Sequence, residues 1–172
     1  MLTQNLWTIP KRFEGASLET AHPNQGKAFE KIVANGGGYL HGEKGCGKSW
    51  LAALWLKEMR KKIDHIGKWI QQGDLVIAAN SDDLPKIMEN WSWYGALVID
   101  DFEPNALTPH RGEILFSLLN ARYAGKKFTL VTSQLSPSDI SRVSPHWDAF
   151  IDRLSESGVY RLSGQSLRSP KC

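Results

Sequence analysis

The run from Gly42 to Ser49 constrains the fold more than any other feature of the sequence. It reads GEKGCGKS and fits the pattern G-x-x-x-x-G-K-[ST] at every fixed position. A short apolar segment, 39–41, precedes it, and an amphipathic segment, 48–60, follows it. Glycines let a backbone turn wrap closely around an anion, so that successive N–H groups point at phosphate. The sequence therefore predicts a phosphate-binding loop between a strand and a helix.

The side chains that close this loop have separate expected roles. We expect Lys48 to reach the β- and γ-phosphates of ATP and the Ser49 hydroxyl to hold Mg²⁺. Trp50 follows directly and is expected near the adenine. The ATP-binding residues predicted from this region are Gly42, Glu43, Lys44, Gly45, Cys46, Gly47, Lys48, Ser49 and Trp50.

A second chemical signal is the apolar segment 96–99, which is followed by Asp100 and Asp101. The carboxyl ends of parallel strands open onto the ligand crevice of an α/β sheet. We therefore expect Asp100 to bind Mg²⁺, directly or through water. Asp101 is expected to act as the general base for the attacking water. Taken alone, the pair fits a surface acidic turn equally well.

Short unbroken apolar runs alternate with helical segments along the chain. Such runs are typical of strands whose two faces are both covered by helices, so they indicate a doubly wound, mainly parallel α/β sheet. A length of 172 residues suits one compact domain, here 15–172, after an irregular N-terminal arm, 1–14. The predicted strands are 39–41, 75–78, 96–99, 128–131 and 158–162. The predicted helices are 24–34, 48–60, 82–90, 111–124, 137–143 and 145–153.

With the loop and the acidic pair in this order, the chain resembles the AAA+ ATPases of the DnaC-type helicase loaders and the IstB transposition helpers. The resemblance covers about 12–168 and rests on the order and spacing of further segments. It implies an AAA+ core of the P-loop NTPase class, with a five-stranded parallel sheet sandwiched by helices and no separate lid domain. The further segments are 12–19, 115–123 (LFSLLNARY), 129–137 (TLVTSQLSP), 151–154 (IDRL) and 164–168 (GQSLR).

The resemblance implies three more functional residues. Gln134 falls where the family has its sensor-1 residue, which contacts the γ-phosphate or the attacking water; a polar turn at a strand end is the alternative. Arg153 resembles the arginine finger that reaches a neighbouring subunit's γ-phosphate, against the alternative of a surface salt bridge. Arg168 resembles sensor 2, which grips the bound nucleotide, against the alternative of a mobile basic tail.

Two departures from the family pattern affect these expectations. Asp101 stands where the family usually has Glu, one methylene longer, so we expect slow hydrolysis stimulated by oligomers or partners, unless Glu103 contributes. Only about a dozen residues precede the core, whereas loaders normally carry an N-terminal helicase-binding domain. How a partner docks is therefore not defined by the resemblance.

The leading interpretation is an ATPase that uses ATP and Mg²⁺ and acts in DNA replication as a helicase loader-like factor. Its implied partners are a replicative helicase, single-stranded DNA and further copies of itself through Arg153. A net charge of +3 permits nucleic-acid contact without arguing strongly for it. The absence of a membrane-spanning run and the placement of Cys46 and Cys172 favour the cytoplasm. The alternatives are an IstB-like transposition helper, a superfamily 3-like viral helicase and a nucleotide-gated binding module.

Overall fold

The computed structural model describes residues 7–21, 23–64, 66–143 and 145–164. Within these ranges, short 3₁₀ turns cover Lys11–Phe13 and Pro104–Ala106. The strands are β1 Gly38–Gly42, β2 Gly67–Gln71, β3 Ala96–Phe102, β4 Phe128–Ser133 and β5 Val159–Leu162. The helices are α1 Pro23–Ala34, α2 Lys48–Lys62, α3 Gln72–Ala79, α4 Leu84–Trp93, α5 Pro109–Ala124, α6 Pro137–Ser141 and α7 Pro145–Ser157.

The strands form one parallel sheet in the order β2-β3-β4-β1-β5. Strand β1 leads into the phosphate-binding loop, and β3 carries the acidic pair; β4 lies between them. Because the strands are parallel, their carboxyl ends share one edge of the sheet. The predicted fold class, an α/β protein with a five-stranded parallel sheet, is confirmed.

Helices cover both faces of the sheet, which explains why its strands read as unbroken apolar runs. Side chains of β1, β3 and β4 alternate between two apolar clusters. Helices α1 and α2 pack on one face against Leu40, Val98 and Leu130. Helices α3 to α7 pack on the other face against residues that include Tyr39, Leu97 and Val131.

The predicted strand at 75–78 is wrong, because this segment lies in α3. The Gln71 and Asp74 side chains form a reciprocal capping box at the start of the helix. Leu75 and Ala78 are buried, whereas Ile77 is 72% exposed, and this i, i+3 burial is helical. A run of aliphatic residues this short does not distinguish a strand from a buried helical turn.

The second strand is β2, which begins eight residues before the predicted one. Its sequence, GKWIQ, contains two apolar residues, Trp69 and Ile70, both buried. Polar Lys68 and Gln71 flank them, so β2 has neither a long apolar run nor a clear alternation. Its place in the sheet comes from full parallel pairing with β3.

The chain before α1 runs along the outer side of β2. Trp7 forms a parallel bridge with Gly67, and the Thr8 N–H donates to the Gly67 carbonyl at 3.4 Å. The Trp69 N–H donates to Thr8 Oγ1 at 3.2 Å. Phe13 packs on Trp69 with ring centroids 5.4 Å apart. Residues 7–13 therefore extend the layered core beyond the edge strand.

No helix in the described ranges is both long and apolar enough to span a bilayer.

A buried arginine joins α4, α5 and the start of β4. Arg122 is 1% exposed, and its Nη1 donates to the carbonyls of Trp91 and Tyr94 at 2.8 Å each. Its Nη2 donates to the Phe128 carbonyl at 2.6 Å, and its Nε donates to Thr129 Oγ1 at 2.9 Å. These contacts satisfy carbonyls at the end of α4 that have no partner within the helix.

Replacing Arg122 with Met should lower the free energy of unfolding by about 3 kcal/mol, because several buried acceptors lose their donor. Urea unfolding followed by circular dichroism would measure the change. Arg142→Met is the matched control: Arg142 is exposed and forms a surface pair with Asp139, so its loss should cost less than about 0.5 kcal/mol. Equal losses for the two variants would contradict the assigned role of Arg122.

Candidate functional site

The loop after β1 contains two glycines in the left-handed region. Gly45 and Gly47 have φ of 89° and 94°, which non-glycine residues adopt only with strain. Lys48 opens α2, and its Nζ donates to the carbonyls of Gly42 and Glu43 at 2.8 Å each. These acceptors are neutral, and no described carboxylate forms an ion pair with Lys48. The loop therefore contains an uncompensated positive charge.

Two hydroxyl groups connect this loop to the acidic strand. Ser49 Oγ donates to Asp100 Oδ1 at 2.9 Å, and Thr132 Oγ1 donates to the same oxygen at 2.7 Å. Ser49 lies in the first turn of α2, Asp100 lies in β3 and Thr132 lies in β4, so three adjacent elements meet at one carboxylate. A serine hydroxyl beside a carboxylate is a suitable oxygen pair for Mg²⁺.

An irregularity in β3 turns both acidic side chains toward this site. Ile99 pairs with Val131, but the next pair is Phe102 with Ser133, so β3 contains one extra residue. Asp101 has φ of 58°, and its N–H donates to Thr132 Oγ1 at 3.0 Å. Successive residues of a regular strand point to opposite faces, and a bulge changes that direction. The bulge thus lets Asp100 and Asp101 line the same cleft.

The two carboxylates differ in environment. Asp100 is 1% exposed, whereas Asp101 is exposed. Burial raises the pKa of Asp100, and the hydrogen bonds from Thr132 and Ser49 oppose that rise. A bound cation would compensate a carboxylate that is costly to ionise when the site is empty.

The loop and the acidic strand form part of a cleft of about 600 Å³, a volume typical of ligand pockets. Its phosphate end carries Lys48 and its metal end carries the Ser49–Asp100 pair, so the residues present fit ATP and Mg²⁺. The described residues that line the cleft are Arg12, Phe13, Thr20, Gln25, Lys44, Gly45, Gly47, Lys48, Ser49, Trp50, Gln71, Asp100, Asp101 and Gln134.

Comparisons with known proteins identify the fold. No protein-family model matches the chain, and no curated protein sequence matches it. DnaI superposes with a TM-score of 0.76 at 20% identity, over 94% of this chain and 95% of that chain. The chain shares the fold of DnaI. The DnaC helicase loader gives a TM-score of 0.69 at 23% identity, over 89% and 99% of the two chains. AMPPCP-bound DnaA from Aquifex aeolicus gives 0.69 at 17% identity, over 86% of this chain and 50% of that chain.

The fold brings most of the predicted nucleotide residues together. Gln134 follows β4, lines the cleft, and its Nε2 donates to Asp101 Oδ1 at 3.4 Å. Trp50 lines the cleft, and its buried indole Nε1 has no hydrogen-bond partner among the described residues. Cys46 is a buried free thiol within the loop. The roles assigned to these side chains stay predictions.

Two other residues lie outside the cleft. Arg153 is half-buried in α7, where its Nη1 donates to the Ala149 carbonyl at 3.0 Å, and it does not line the cleft of its own chain. Glu103 accepts a hydrogen bond from the Asn105 N–H at the start of a 3₁₀ turn and is not among the cleft-lining residues. Arg168 lies outside the described residues.

Sequence reasoning missed several residues of the cleft. Thr132 was hidden within the apolar run of β4, although a buried hydroxyl beside an acidic strand end is a usable signal. Gln25 comes from α1, and its Nε2 donates to the Cys46 carbonyl at 3.2 Å. Arg12 and Gln71 come from segments far from the loop in sequence. Only the folded chain places these side chains on the cleft.

Asp100→Asn should stabilise the protein at pH 7 by about 1 kcal/mol, since functional residues are rarely optimal for stability. Burial raises the folded-state pKa of Asp100, so its ionisation destabilises the fold as pH rises above the unfolded-state value. The stability that Asp100→Asn gains over wild type should therefore shrink as pH falls toward 4. Urea unfolding of both proteins between pH 7 and pH 4, without nucleotide or Mg²⁺, measures this difference in the free energy of unfolding.

Asp82→Asn serves as the control, because Asp82 is an exposed carboxylate outside the cleft and should change stability by less than about 0.5 kcal/mol. An Asp100→Asn variant less stable than wild type at pH 7 would show that the hydrogen bonds to the carboxylate outweigh its burial.

Proposed function

We propose that this protein is an AAA+ ATPase that acts in DNA replication as a helicase loader-like factor. The observation that carries the proposal is the 2.9 Å hydrogen bond from Ser49 to Asp100, which joins a phosphate-binding loop to a buried acidic strand end. The similarity in fold to the DnaC helicase loader and to AMPPCP-bound DnaA supports it, since AMPPCP is an ATP analogue.

In this proposal the loop holds the triphosphate. Lys48 leaves the carbonyls of Gly42 and Glu43 and donates instead to the β- and γ-phosphates. The amides of the loop and the start of α2 contribute further positive potential. Ser49 and Asp100 hold Mg²⁺, which neutralises phosphate charge when bound. Trp50 lines the side of the cleft that we assign to the base.

Hydrolysis in this proposal depends on the exposed carboxylate. Asp101 polarises the attacking water, and Gln134, whose amide lies 3.4 Å from Asp101, orients it. The bulge in β3 directs the Asp101 side chain into the cleft. An Asp side chain is nevertheless one methylene shorter than the Glu that the resembling family usually has at this position. Slow hydrolysis by the isolated chain follows from that limited reach.

We assign Arg153 to the nucleotide site of a neighbouring copy. Its guanidinium carbon lies 5.4 Å from the centre of the Phe116 ring and 5.8 Å from that of Tyr123. No described carboxylate pairs with it, so its charge is available to an anionic ligand. Since Arg153 does not line its own cleft, any contact with a γ-phosphate is made between subunits. Arg168 is proposed to grip the nucleotide within its own chain.

The loader role predicts that wild type, with ATP and Mg²⁺, captures the replicative helicase of the same host. Lys48→Ala should lower ATP affinity more than about 100-fold and abolish the capture, because it removes a charge that contacts two phosphates. Calorimetry measures nucleotide binding, and a pull-down with purified helicase measures capture.

Lys126→Ala is the matched control, since Lys126 is an exposed cation outside the cleft and both readouts should stay at wild-type values. ATP binding without helicase capture would refute the loader role and retain the ATPase assignment. Strand displacement by the protein alone would favour a helicase instead.

The intersubunit role of Arg153 predicts complementation between two inactive variants. Lys48→Ala has a defective loop but keeps Arg153, and Arg153→Ala has an intact loop but cannot act on a neighbour. Each alone should hydrolyse ATP at least about tenfold more slowly than wild type, and their mixture should recover part of the rate. Steady-state phosphate release measures it.

The control mixture pairs the double variant, Lys48→Ala with Arg153→Ala, with the Arg153→Ala variant. No copy in that mixture supplies the arginine, so its rate should stay low. Arg153 does not act between subunits if the hydrolysis rate recovers in this control mixture. The same holds if the rate does not recover in the mixture of Lys48→Ala with Arg153→Ala.

A further inference from the structure

We infer that the segment before α1 is part of the nucleotide site: residues 7–14, the strap, hold Arg12 over the cleft, where its guanidinium binds the polyphosphate of the chain's own nucleotide. The inference rests on the proposed ATP binding and extends it to residues that lie about thirty positions before the loop.

The first observation is position. Arg12 and Phe13 both line the cleft that contains Lys48, Ser49 and Asp100. The Arg12 guanidinium carbon lies 4.6 Å from the centre of the Phe13 ring. Stacking of this kind uses the flat face of the guanidinium and leaves its N–H edge available to oxygen acceptors.

The second observation is charge. Arg12 is exposed, and no described carboxylate lies within ion-pair distance of it. The guanidinium therefore lies on the same cleft as Ser49 and Asp100, without a described carboxylate to neutralise it. A planar cation with free donors there is suited to phosphate oxygens.

The third observation is that the strap is held at both of its ends. At one end, the Trp7 indole lies on Gly67 so closely that a Cβ there would be 2.2 Å from Cζ3 of the ring. At the other end, Phe13 packs on Trp69, and Lys57 Nζ donates to the Glu14 carbonyl at 2.5 Å. Arg12 is thus positioned by contacts that involve β2 and α2.

The test of Arg12 is a set of charge variants measured by calorimetry with ATP–Mg²⁺. Arg12→Ala should weaken binding about tenfold, the usual size of a lost hydrogen bond between charged groups, and Arg12→Lys should weaken it less. The loss should be smaller at high salt, because the lost interaction is ionic. The melting temperature without nucleotide should stay at the wild-type value.

Arg60→Ala is the matched control, since Arg60 is an exposed arginine at the end of α2 and does not line the cleft. It should leave ATP affinity unchanged. If Arg12→Ala behaves like Arg60→Ala while Lys48→Ala abolishes binding, the strap inference is wrong and the proposed ATPase stands. If wild type binds no ATP, both are wrong.

The anchor is tested separately by Gly67→Ala, which has no positive φ to strain and should displace Trp7. We expect a several-fold loss of ATP affinity, and a similar loss in Trp7→Ala. In the Arg12→Ala background, Gly67→Ala should add less than about twofold, because both act through the same side chain. If Gly67→Ala lowers ATP affinity as much in the Arg12→Ala background as in wild type, the Trp7–Gly67 contact does not act through Arg12. The same conclusion follows if neither Gly67→Ala nor Trp7→Ala lowers ATP affinity.

Discussion

The candidate nucleotide site depends on a contact that crosses the middle of the sheet. In the order β2-β3-β4-β1-β5, the loop strand β1 and the acidic strand β3 are second neighbours, about 9.5 Å apart. The hydroxyl of Thr132, on the intervening strand, donates to Asp100 and accepts from the Asp101 N–H, so one side chain positions both acidic residues. Ser49 completes the contact from the loop side. The parallel strand order therefore allows the loop after β1 and the Asp100 carboxylate to meet although β1 and β3 do not pair directly.

This arrangement buries two ionisable side chains that line the cleft. Asp100 is buried, and its raised pKa shows that ionisation is unfavourable there without a counter-charge. Lys48 is also buried and donates to neutral carbonyls, which leaves its charge uncompensated. A triphosphate with its cation would supply an anion to the lysine and a cation to the carboxylate. Local instability at such a site is expected where binding is meant to reorganise the surroundings.

The sequence predicted the features whose signals are local. The loop, the helix after it and the acidic strand could be recognised because glycine, lysine, serine and carboxylates occur at fixed short spacings. Strand β2 was misplaced because its two buried residues are flanked by polar ones, whereas the aliphatic run at 75–78 is a helix whose Ile77 faces solvent. The bulge at Asp101 and the approach of Arg12 could not be foreseen. Both depend on contacts between segments that are distant in sequence, and such contacts cannot be deduced from a single sequence.

The strap connects the cleft to the edge strand β2. Trp7 at one end of it lies on Gly67, and Phe13 at the other end packs on Trp69 beside Arg12, which lines the cleft. Coupling between two sites is reciprocal in free energy. If Arg12 strengthens ATP binding only when Trp7 is seated on Gly67, then ATP must strengthen the seating of Trp7 by the same factor. A partner that pairs with the β2 edge has to displace the strap, and it would therefore bind the ATP-free form more tightly. Binding at the edge strand and ATP binding in the cleft would thus be coupled through the strap, without any movement of the sheet between them.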